Sequence, residues 1–264
     1  MGRAVAVITG ASSGLGVVFA RRLAAENDLV LVARRKERLE ALAAELTVQY
    51  PCAVTVLPAD LTDEKGLGEV AERIAAEQNL ALLVNNAGFG ARGLFWAPNL
   101  EEQERMYRLH ILATVRLSHA GLRNMVEKNS GGIINVASVA AFVRRAGSVS
   151  YGATKTWMTA FTEGLFLELR SSRSAVKVQA LCPGFTYTEF HDTAHIDRNS
   201  MARPSFWLQP EHVVDESLKA LRQGKLFVVP GWRYKAIVAL LSTLPAPLRL
   251  ALEAAGTNKE HGER

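Results

Sequence analysis

Cysteine is scarce in this chain of 264 residues, which contains only Cys52 and Cys182. The two cysteines show no spacing typical of metal ligands and do not form the disulfide framework of a small secreted domain. We interpret both as reduced thiols in the core, which is typical of a cytoplasmic protein. A cytoplasmic location and no metal site are therefore expected.

Low-complexity tracts, repeats and blocks of like charge are also missing. Met1-Gly2-Arg3 leads directly into an apolar segment, so we expect no signal peptide. The net charge of +5 is mild and the basic residues form no stripe, which argues against a nucleic-acid partner. Because charged residues make up only 22% of the chain, we expect an ordered globular protein.

Hydrophobic residues make up 48% of the chain, enough for one large core, and no linker divides it. Short apolar segments alternate with segments of helical periodicity. Such alternation predicts a doubly wound parallel sheet with right-handed crossovers, which is a Rossmann-like α/β fold. The predicted strands are 4–8, 28–33, 53–57, 81–84, 132–137, 176–181 and 225–229.

A glycine-rich turn, Thr-Gly-Ala-Ser-Ser-Gly-Leu-Gly at 9–16, follows the first predicted strand. Glycines allow a tight turn and a close approach to a pyrophosphate, and the next helix presents free N–H groups at its positive end. Between a first strand and a first helix, this turn predicts a dinucleotide site. Its spacing, Gly-x-x-x-Gly-x-Gly, is wider than the Rossmann fingerprint.

The end of the second predicted strand carries no acidic residue. A carboxylate there binds the 2′-hydroxyl of NAD, whereas an arginine accommodates the 2′-phosphate of NADP. This chain has Ala33 followed by Arg34 and Arg35, and guanidinium groups bind phosphate through paired hydrogen bonds. We expect Arg34 to bind the phosphate of NADP(H), whereas Lys36 and Arg38 belong to a solvated helical turn.

Tyr151 and Lys155 are one turn apart in a predicted helix, so their side chains share a face. A phenol titrates near ~10, and a neighbouring ammonium favours the phenolate and lowers that pKa. Ser138, at the end of the fifth predicted strand, offers a hydroxyl that can hold a carbonyl oxygen near Tyr151. Taken alone, the Tyr/Lys pair also fits an exposed helical face.

Five motifs occur together in order: the glycine-rich turn, Asn-Asn-Ala-Gly at 85–88, Ser138, Tyr-x-x-x-Lys at 151–155, and Pro-Gly at 183–184. With them the chain, from residue 3 to about 231, resembles the short-chain dehydrogenase/reductase family. The resemblance implies that Ser138 orients the substrate oxygen and Tyr151 is the general acid/base. It also implies that Lys155 lowers the tyrosine pKa and binds the nicotinamide ribose.

The resemblance further implies a set of cofactor contacts, in which Asp60 meets the adenine, Asn86 the crevice and Thr188 the carboxamide. Ser13 stands where many NADP-dependent members have a second basic residue. Asn86 is implied to contact the cofactor itself, near the crevice of the sheet. The implied cofactor-binding residues are Gly10, Ser12, Ser13, Gly14, Leu15, Gly16, Arg34, Arg35, Asp60, Leu61, Asn86, Ala87, Gly88, Tyr151, Lys155, Pro183, Gly184 and Thr188.

His110 stands where the family usually has an asparagine that supports a water-linked proton relay to the lysine. Either it is a packed structural residue, or its imidazole takes over the relay. In the second case His110 is neutral during turnover, because a second positive charge near Lys155 is disfavoured. Activity would then fall as the pH drops through its pKa.

The predicted substrate side is aromatic. A lid at about 185–209 lacks periodicity, and an apolar cleft is expected, as in most ligand pockets. Arg144 and Arg145, near its mouth, either belong to a solvated loop or contact a phosphorylated carrier. The predicted substrate contacts are Phe89, Phe142, Phe185 and Phe190.

Beyond a catalytic domain at 1–231, the segment 232–264 is predicted to form an apolar helical extension with a frayed tail from 257. It is too interrupted by Pro245 and Pro247 to span a membrane, which takes about 20 apolar residues. It either packs on a partner subunit of a homodimer or homotetramer, or lies on a membrane surface. Similar tails occur in the branch of the family with long-chain 3-oxoacyl and hydroxysteroid reductases.

The sequence thus predicts an NADP-dependent oxidoreductase that moves a hydride between the nicotinamide and the carbonyl or alcohol carbon of an apolar small molecule. A cofactor-sensing binding protein on the same fold is the alternative, because fold does not fix function. Intact Ser138, Tyr151 and Lys155 favour the enzyme.

Overall fold

A seven-stranded parallel sheet forms the centre of the protein, with the strand order β3-β2-β1-β4-β5-β6-β7. The computed structural model describes residues 2–91, 93–97, 99–190 and 204–261. The predicted α/β class and parallel sheet are confirmed. The strands are β1 (Ala4–Thr9), β2 (Asn27–Ala33), β3 (Val54–Pro58), β4 (Leu80–Asn85), β5 (Gly132–Val136), β6 (Lys177–Leu181) and β7 (Phe227–Val228).

Helices cover both faces of the sheet, and the strands are apolar on both sides for that reason. In β1, Ala6 and Ile8 pack into one core cluster with α1, α2 and α7, while Val5 and Val7 pack into a second with α3, α5 and α6. The helices are α1 (Gly14–Leu23), α2 (Lys36–Gln49), α3 (Glu64–Ala76), α4 (Leu100–Tyr107), α5 (Thr114–Glu127), α6 (Val149–Ser171), α7 (Pro210–Arg222), α8 (Trp232–Thr243) and α9 (Ala246–His261).

The strand order reverses between β1 and β4, and ligands of open parallel sheets bind at such a reversal, beyond the carboxyl ends of the strands. Thr9, at the end of β1, joins the two strand ends. Its hydroxyl donates to the carbonyl of Val84 and accepts from the N–H groups of Asn86 and Ala87 at 2.9 and 3.0 Å. The Asn86 amide donates in turn to the Thr9 carbonyl at 2.8 Å. This network fixes the crevice floor.

Helix α8 is anchored by Tyr234, which is 5% exposed. The Tyr234 hydroxyl donates to the carbonyl of Phe206 at 2.8 Å and accepts from the N–H of Phe185 at 3.0 Å. Its ring lies against Gly184, where a Cβ atom would approach within 2.0 Å of the ring. The first turn of the C-terminal segment thus supports both ends of the predicted lid.

Helix α9 continues to His261, although a frayed tail is expected from residue 257. Residues 257–261 contain no proline, so extending the existing helix by another turn costs little. Trp232 and Leu240 of α8 are 69% and 58% exposed. Among the described residues, no helix combines the length and apolar character needed to cross a bilayer. Membrane or subunit contact through 232–256 stays a prediction, as does the domain limit at 231.

Candidate active site

Two elements bring the predicted catalytic side chains together. Helix α6 carries Tyr151 and Lys155, and Ser138 follows the carboxyl end of β5. The Ser138 hydroxyl lies beside the Tyr151 phenol and acts to lower its pKa. The buried Lys155 ammonium lies 5.6 Å from the centre of the Tyr151 ring and donates to the carbonyl of Val136 at 2.8 Å. The Tyr151 phenol, the Ser138 hydroxyl and the Lys155 ammonium therefore lie close together.

Burial dominates the electrostatics of this group. It raises the pKa of Tyr151 to about 12, although the Ser138 hydroxyl acts in the opposite direction. The expected lowering of this pKa is wrong for the protein alone, because desolvation of the phenolate outweighs the effect of Ser138. Burial also lowers the pKa of Lys155 to about 8. Tyr151 is consequently a protonated acid at neutral pH, and Lys155 titrates only slightly above neutrality.

His110 is completely buried in a short π-helix (Arg108–Ala113) that joins α4 to α5. Its Nδ1 lies 2.9 Å from the hydroxyl of Thr154, and its Nε2 accepts from the N–H of Phe89 at 3.3 Å. Because the Thr154 hydroxyl already donates to the carbonyl of Tyr151, we assign the proton to Nδ1. Burial, assisted by Lys155, lowers the pKa of His110 well below its usual value.

This geometry favours the structural alternative for His110. Both ring nitrogens are engaged in fixed hydrogen bonds, and the side chain connects the β4 loop to the helix that carries Tyr151. The ring also packs edge-on against Tyr151, with 6.0 Å between ring centres. The lowered pKa keeps His110 neutral near neutral pH, as the relay alternative also expects, so the two fixed hydrogen bonds are what favour the structural role.

Replacing His110 with leucine is expected to slow turnover without an acidic shift in the pH–rate profile. The change leaves a buried N–H of Phe89 without its acceptor, which costs about 1–3 kcal/mol, and loosens the support of Tyr151. His110→Asn, which keeps an acceptor, should stay closer to the parent in rate. The measurement is a pH–rate profile of the three proteins together with their thermal unfolding. Loss of an acidic limb in both variants would restore the relay alternative.

The glycine-rich turn has the backbone that its glycines require. Gly10 and Gly14 adopt φ values of 66° and 55°, in the left-handed region that favours glycine. At Gly16 a Cβ atom would lie 2.2 Å from the carbonyl oxygen of Gly10. Ser13 begins α1, and Leu15 is buried in the core beneath the turn. The turn therefore exposes backbone N–H groups at the start of α1, and this arrangement fits a pyrophosphate.

The arginines after β2 have different surroundings. The Arg34 side chain is 66% exposed and lies 3.9 Å from the carboxylate of Asp60. Arg35 instead donates to the Ser12 hydroxyl at 3.1 and 3.2 Å and to Glu189 at 3.1 Å. Arg38, expected to be merely solvated, donates to Glu189 at 2.6 Å, because the chain after β6 returns to this corner. Arg34 is thus the arginine best placed to meet a ligand from solvent.

The adenine side of the crevice is formed by the segment after β3. The Asp60 carboxylate accepts from the N–H and the hydroxyl of Thr62 at 2.9 and 2.8 Å. Burial acts to raise the pKa of Asp60, but these hydrogen bonds and the charge of Arg34 outweigh it and lower the pKa. Leu61 is buried in the core and faces away from solvent. Asp60 is therefore a fixed anionic acceptor.

The nicotinamide side is formed by the segment after β6. The Pro183 carbonyl accepts from the N–H of Val139 at 3.0 Å, which holds Pro183 and Gly184 beside Ser138. The side chain of Thr188 lies over Gly14, where a Cβ atom would be 3.1 Å from it. Together with the glycine turn, these groups fit a dinucleotide cofactor.

The predicted aromatic substrate contacts divide into two groups. Phe190 packs on Tyr151, with 5.8 Å between ring centres, and Phe89 packs on His110 at 6.1 Å. Phe142 instead packs edge-on against Phe227 of β7, and Phe185 packs on Trp207. Phe142 and Phe185 therefore lie against other aromatic rings, and their substrate roles stay predictions.

The loop after Ser138 touches the C-terminal helix. The N–H of Arg144 donates to the Glu253 carboxylate of α9 at 3.0 Å. Three side chains that sequence reasoning missed also support the site, namely Thr154, Glu189 and Tyr234. Thr154 lies inside the Tyr-x-x-x-Lys motif, and Glu189 directly follows Thr188. The sequence around these residues does not indicate what they contact.

Residues 4–199 match the sequence model of a family described as short chain dehydrogenase. The structure is similar to a short-chain dehydrogenase from Sphingobium yanoikuyae solved in complex with NADPH. The two share 36% identity with a TM-score of 0.82, over 92% of this chain and 97% of the other.

Two further solved structures are similar. A bulky-bulky ketone specific alcohol dehydrogenase from Comamonas testosteroni shares 31% identity with a TM-score of 0.77, over 92% of this chain and 95% of the other. A short-chain dehydrogenase/reductase from Burkholderia phymatum, solved with NAD, shares 25% identity with a TM-score of 0.80, over 90% and 92% of the two chains. Solved structures similar to this one thus contain either NADPH or NAD.

Proposed function

Because this chain belongs to the short-chain dehydrogenase family, we propose that it is an NADP-dependent reductase of apolar ketones or aldehydes, and the reverse alcohol dehydrogenase. The observation that carries the proposal is the Tyr151 phenol, which lies beside the Ser138 hydroxyl and one helical turn from the buried ammonium of Lys155. These groups stand at the crevice where strand order reverses, next to the glycine turn. An oxidoreductase of the short-chain type needs this arrangement.

In the proposed reaction, the hydroxyls of Ser138 and Tyr151 hold the carbonyl oxygen of the substrate. When bound, the reduced nicotinamide supplies the hydride that the carbonyl carbon receives. Tyr151 then gives its proton to the oxygen, for which a phenol with a pKa of about 12 is suitably protonated at neutral pH. The positive charge of Lys155 stabilises the Tyr151 phenolate that remains. In the alcohol direction, Tyr151 accepts the proton.

The proposed preference for NADP rests on the chemistry around Arg34. No carboxylate follows β2 to bind a ribose 2′-hydroxyl, since Ala33 precedes the arginines. Arg34 is exposed, and its contact with Asp60, at 3.9 Å, is long enough to be given up when it binds a 2′-phosphate. The similar dehydrogenase from Sphingobium yanoikuyae was solved with NADPH.

Replacing Arg34 with alanine is expected to weaken NADPH binding roughly tenfold to hundredfold, because a charge-assisted hydrogen bond to phosphate is lost. NADH affinity should change little, and Ala33→Asp should shift preference further toward NADH. The measurement is the Kd of each cofactor for each variant. Lys36→Ala is the matched control, since Lys36 is a neighbouring cation paired with Glu40. Equal affinity of the parent for both cofactors would contradict the assignment.

The proposed substrates are ketones or aldehydes with apolar substituents, including 3-oxoacyl and steroid-like ketones. Phe190 and Phe89 form apolar surfaces next to the catalytic hydroxyl. The similar enzyme from Comamonas testosteroni is specific for bulky-bulky ketones. The test is consumption of NADPH with a panel of carbonyl compounds graded by bulk. Tight NADPH binding without consumption for any of them would favour the cofactor-sensing alternative.

A further inference from the structure

Three consecutive residues cross the cofactor crevice from wall to wall. Thr188 lies over Gly14 of the glycine turn. Phe190 packs on Tyr151 at the catalytic end. Between them, Glu189 reaches the corner after β2. We call residues 188–190 the strap, since together they contact the glycine turn, the corner after β2 and the catalytic tyrosine.

The middle residue of the strap is held by two guanidinium groups. Nη1 of Arg38 donates to both carboxylate oxygens of Glu189 at 2.6 and 2.8 Å, and Nη1 of Arg35 donates to one of them at 3.1 Å. Arg35 also donates to the Ser12 hydroxyl, so a continuous chain of hydrogen bonds joins the strap to the glycine turn. These bonds and the arginine charges lower the pKa of Glu189, which is therefore anionic at neutral pH.

The exposure of the Glu189 side chain indicates how strong its contact with the arginines is. The side chain of Glu189 is 42% exposed, and ion pairs of this kind add little to global stability. A charge-assisted contact that is weak but specific suits an element that must open and close at each turnover. Arg34 takes no part in this contact with Glu189, and its side chain is exposed to solvent. Arg35 and Arg38 therefore hold the strap, whereas Arg34 is the arginine proposed to bind the 2′-phosphate.

We propose that Glu189 is a positioning residue that latches the strap over bound nicotinamide cofactor and thereby sets how fast the cofactor leaves. The inference rests on the proposed function in that a nicotinamide cofactor must occupy the crevice. Because Arg35 and Arg38 hold the strap whatever the ribose carries, the latch acts equally on NADPH and NADH. Arg34, in contrast, distinguishes the two.

The test is the dissociation rate of NADPH and of NADH, followed by stopped-flow nucleotide fluorescence in the parent and in Glu189→Gln. Both rates should rise by about the same factor, roughly fivefold to tenfold. In the parent the rates should also increase with salt, which screens exposed charges, and this dependence should shrink in the variant. Arg38→Gln combined with Glu189→Gln should add little to the single change, since the two act through one contact.

Glu45→Gln is the matched control, because Glu45 forms a similar paired contact with Arg21 between α1 and α2, at 2.7 and 2.9 Å. It should leave both dissociation rates unchanged. Unchanged rates in Glu189→Gln, with cofactor still bound, would overturn the latch and leave the proposed function intact. Slower release of NADPH alone would also overturn it, since Glu189 would then compete with the phosphate. A parent that binds neither nucleotide would overturn the proposed function and the latch together.

Discussion

Replacing Tyr151 with phenylalanine is expected to reduce ketone reduction by about a hundredfold to ten-thousandfold, the usual contribution of a general acid. Affinity for NADPH should stay close to that of the parent. Only the hydroxyl is lost, while the ring can keep its packing against Phe190 and His110. The measurement is kcat with the best substrate of the carbonyl panel, together with the Kd of NADPH.

A second tyrosine serves as the control for this change. Tyr50 follows α2, packs against the core below the sheet and is remote from Ser138 in the fold. Tyr50→Phe removes the same atom and should leave kcat within about twofold, as surface-proximal changes usually do. If Tyr151→Phe turns over at nearly the parent rate, the phenol is not the proton donor and the mechanism is wrong.

Replacing Lys155 with alanine should lower both kcat and cofactor affinity, because one ammonium supports the phenolate and is expected to bind the nicotinamide ribose. The parent should also lose reductase activity as the pH rises through about 8, where Lys155 gives up its charge. Below that pH the ammonium is present and the rate should be level. The variant should lack this basic limb, which a pH–rate profile of both proteins measures.

Stability separates the loss of the ammonium from misfolding. The pKa of Lys155 is about 8 in the folded protein and 10.5 ordinarily, so the unfolded chain binds more protons between these values. The contribution of this group to the free energy of unfolding therefore rises with pH across that window. Removing the buried charge should consequently not destabilise the protein at neutral pH. Lys177→Ala is the control, since Lys177 also donates to a carbonyl, that of Arg222, at an exposed site. A basic limb that persists in Lys155→Ala would assign it to another group.

The fold could be predicted because its signals are local. Strands covered on both faces read as continuous apolar segments, and all seven appear within a few residues of their predicted positions. The glycine turn and the Tyr-x-x-x-Lys pair are likewise set by short spacings. The grouping of Ser138 with Tyr151 follows from the rule that parallel strands end at one edge of the sheet.

What could not be predicted depends on burial and on distant contacts. The direction of the Tyr151 pKa shift is decided by desolvation, which one-dimensional spacing does not report. The ring contact between Phe142 and Phe227, which lies far along the chain, has no signal in the sequence around either residue. The contact of Arg38 with Glu189 spans 151 residues and involves a carboxylate with no motif of its own.

The central claim is that this crevice transfers a hydride to a carbonyl carbon while Tyr151 supplies the proton. The most direct test is a single turnover with NADPH carrying deuterium at the transferring position of the nicotinamide, with the product analysed by mass spectrometry and NMR. The account predicts deuterium on the carbinol carbon of the alcohol formed by the parent, and a strongly reduced yield of that product with Tyr151→Phe. Bound NADPH that keeps its deuterium throughout the carbonyl panel would contradict the account.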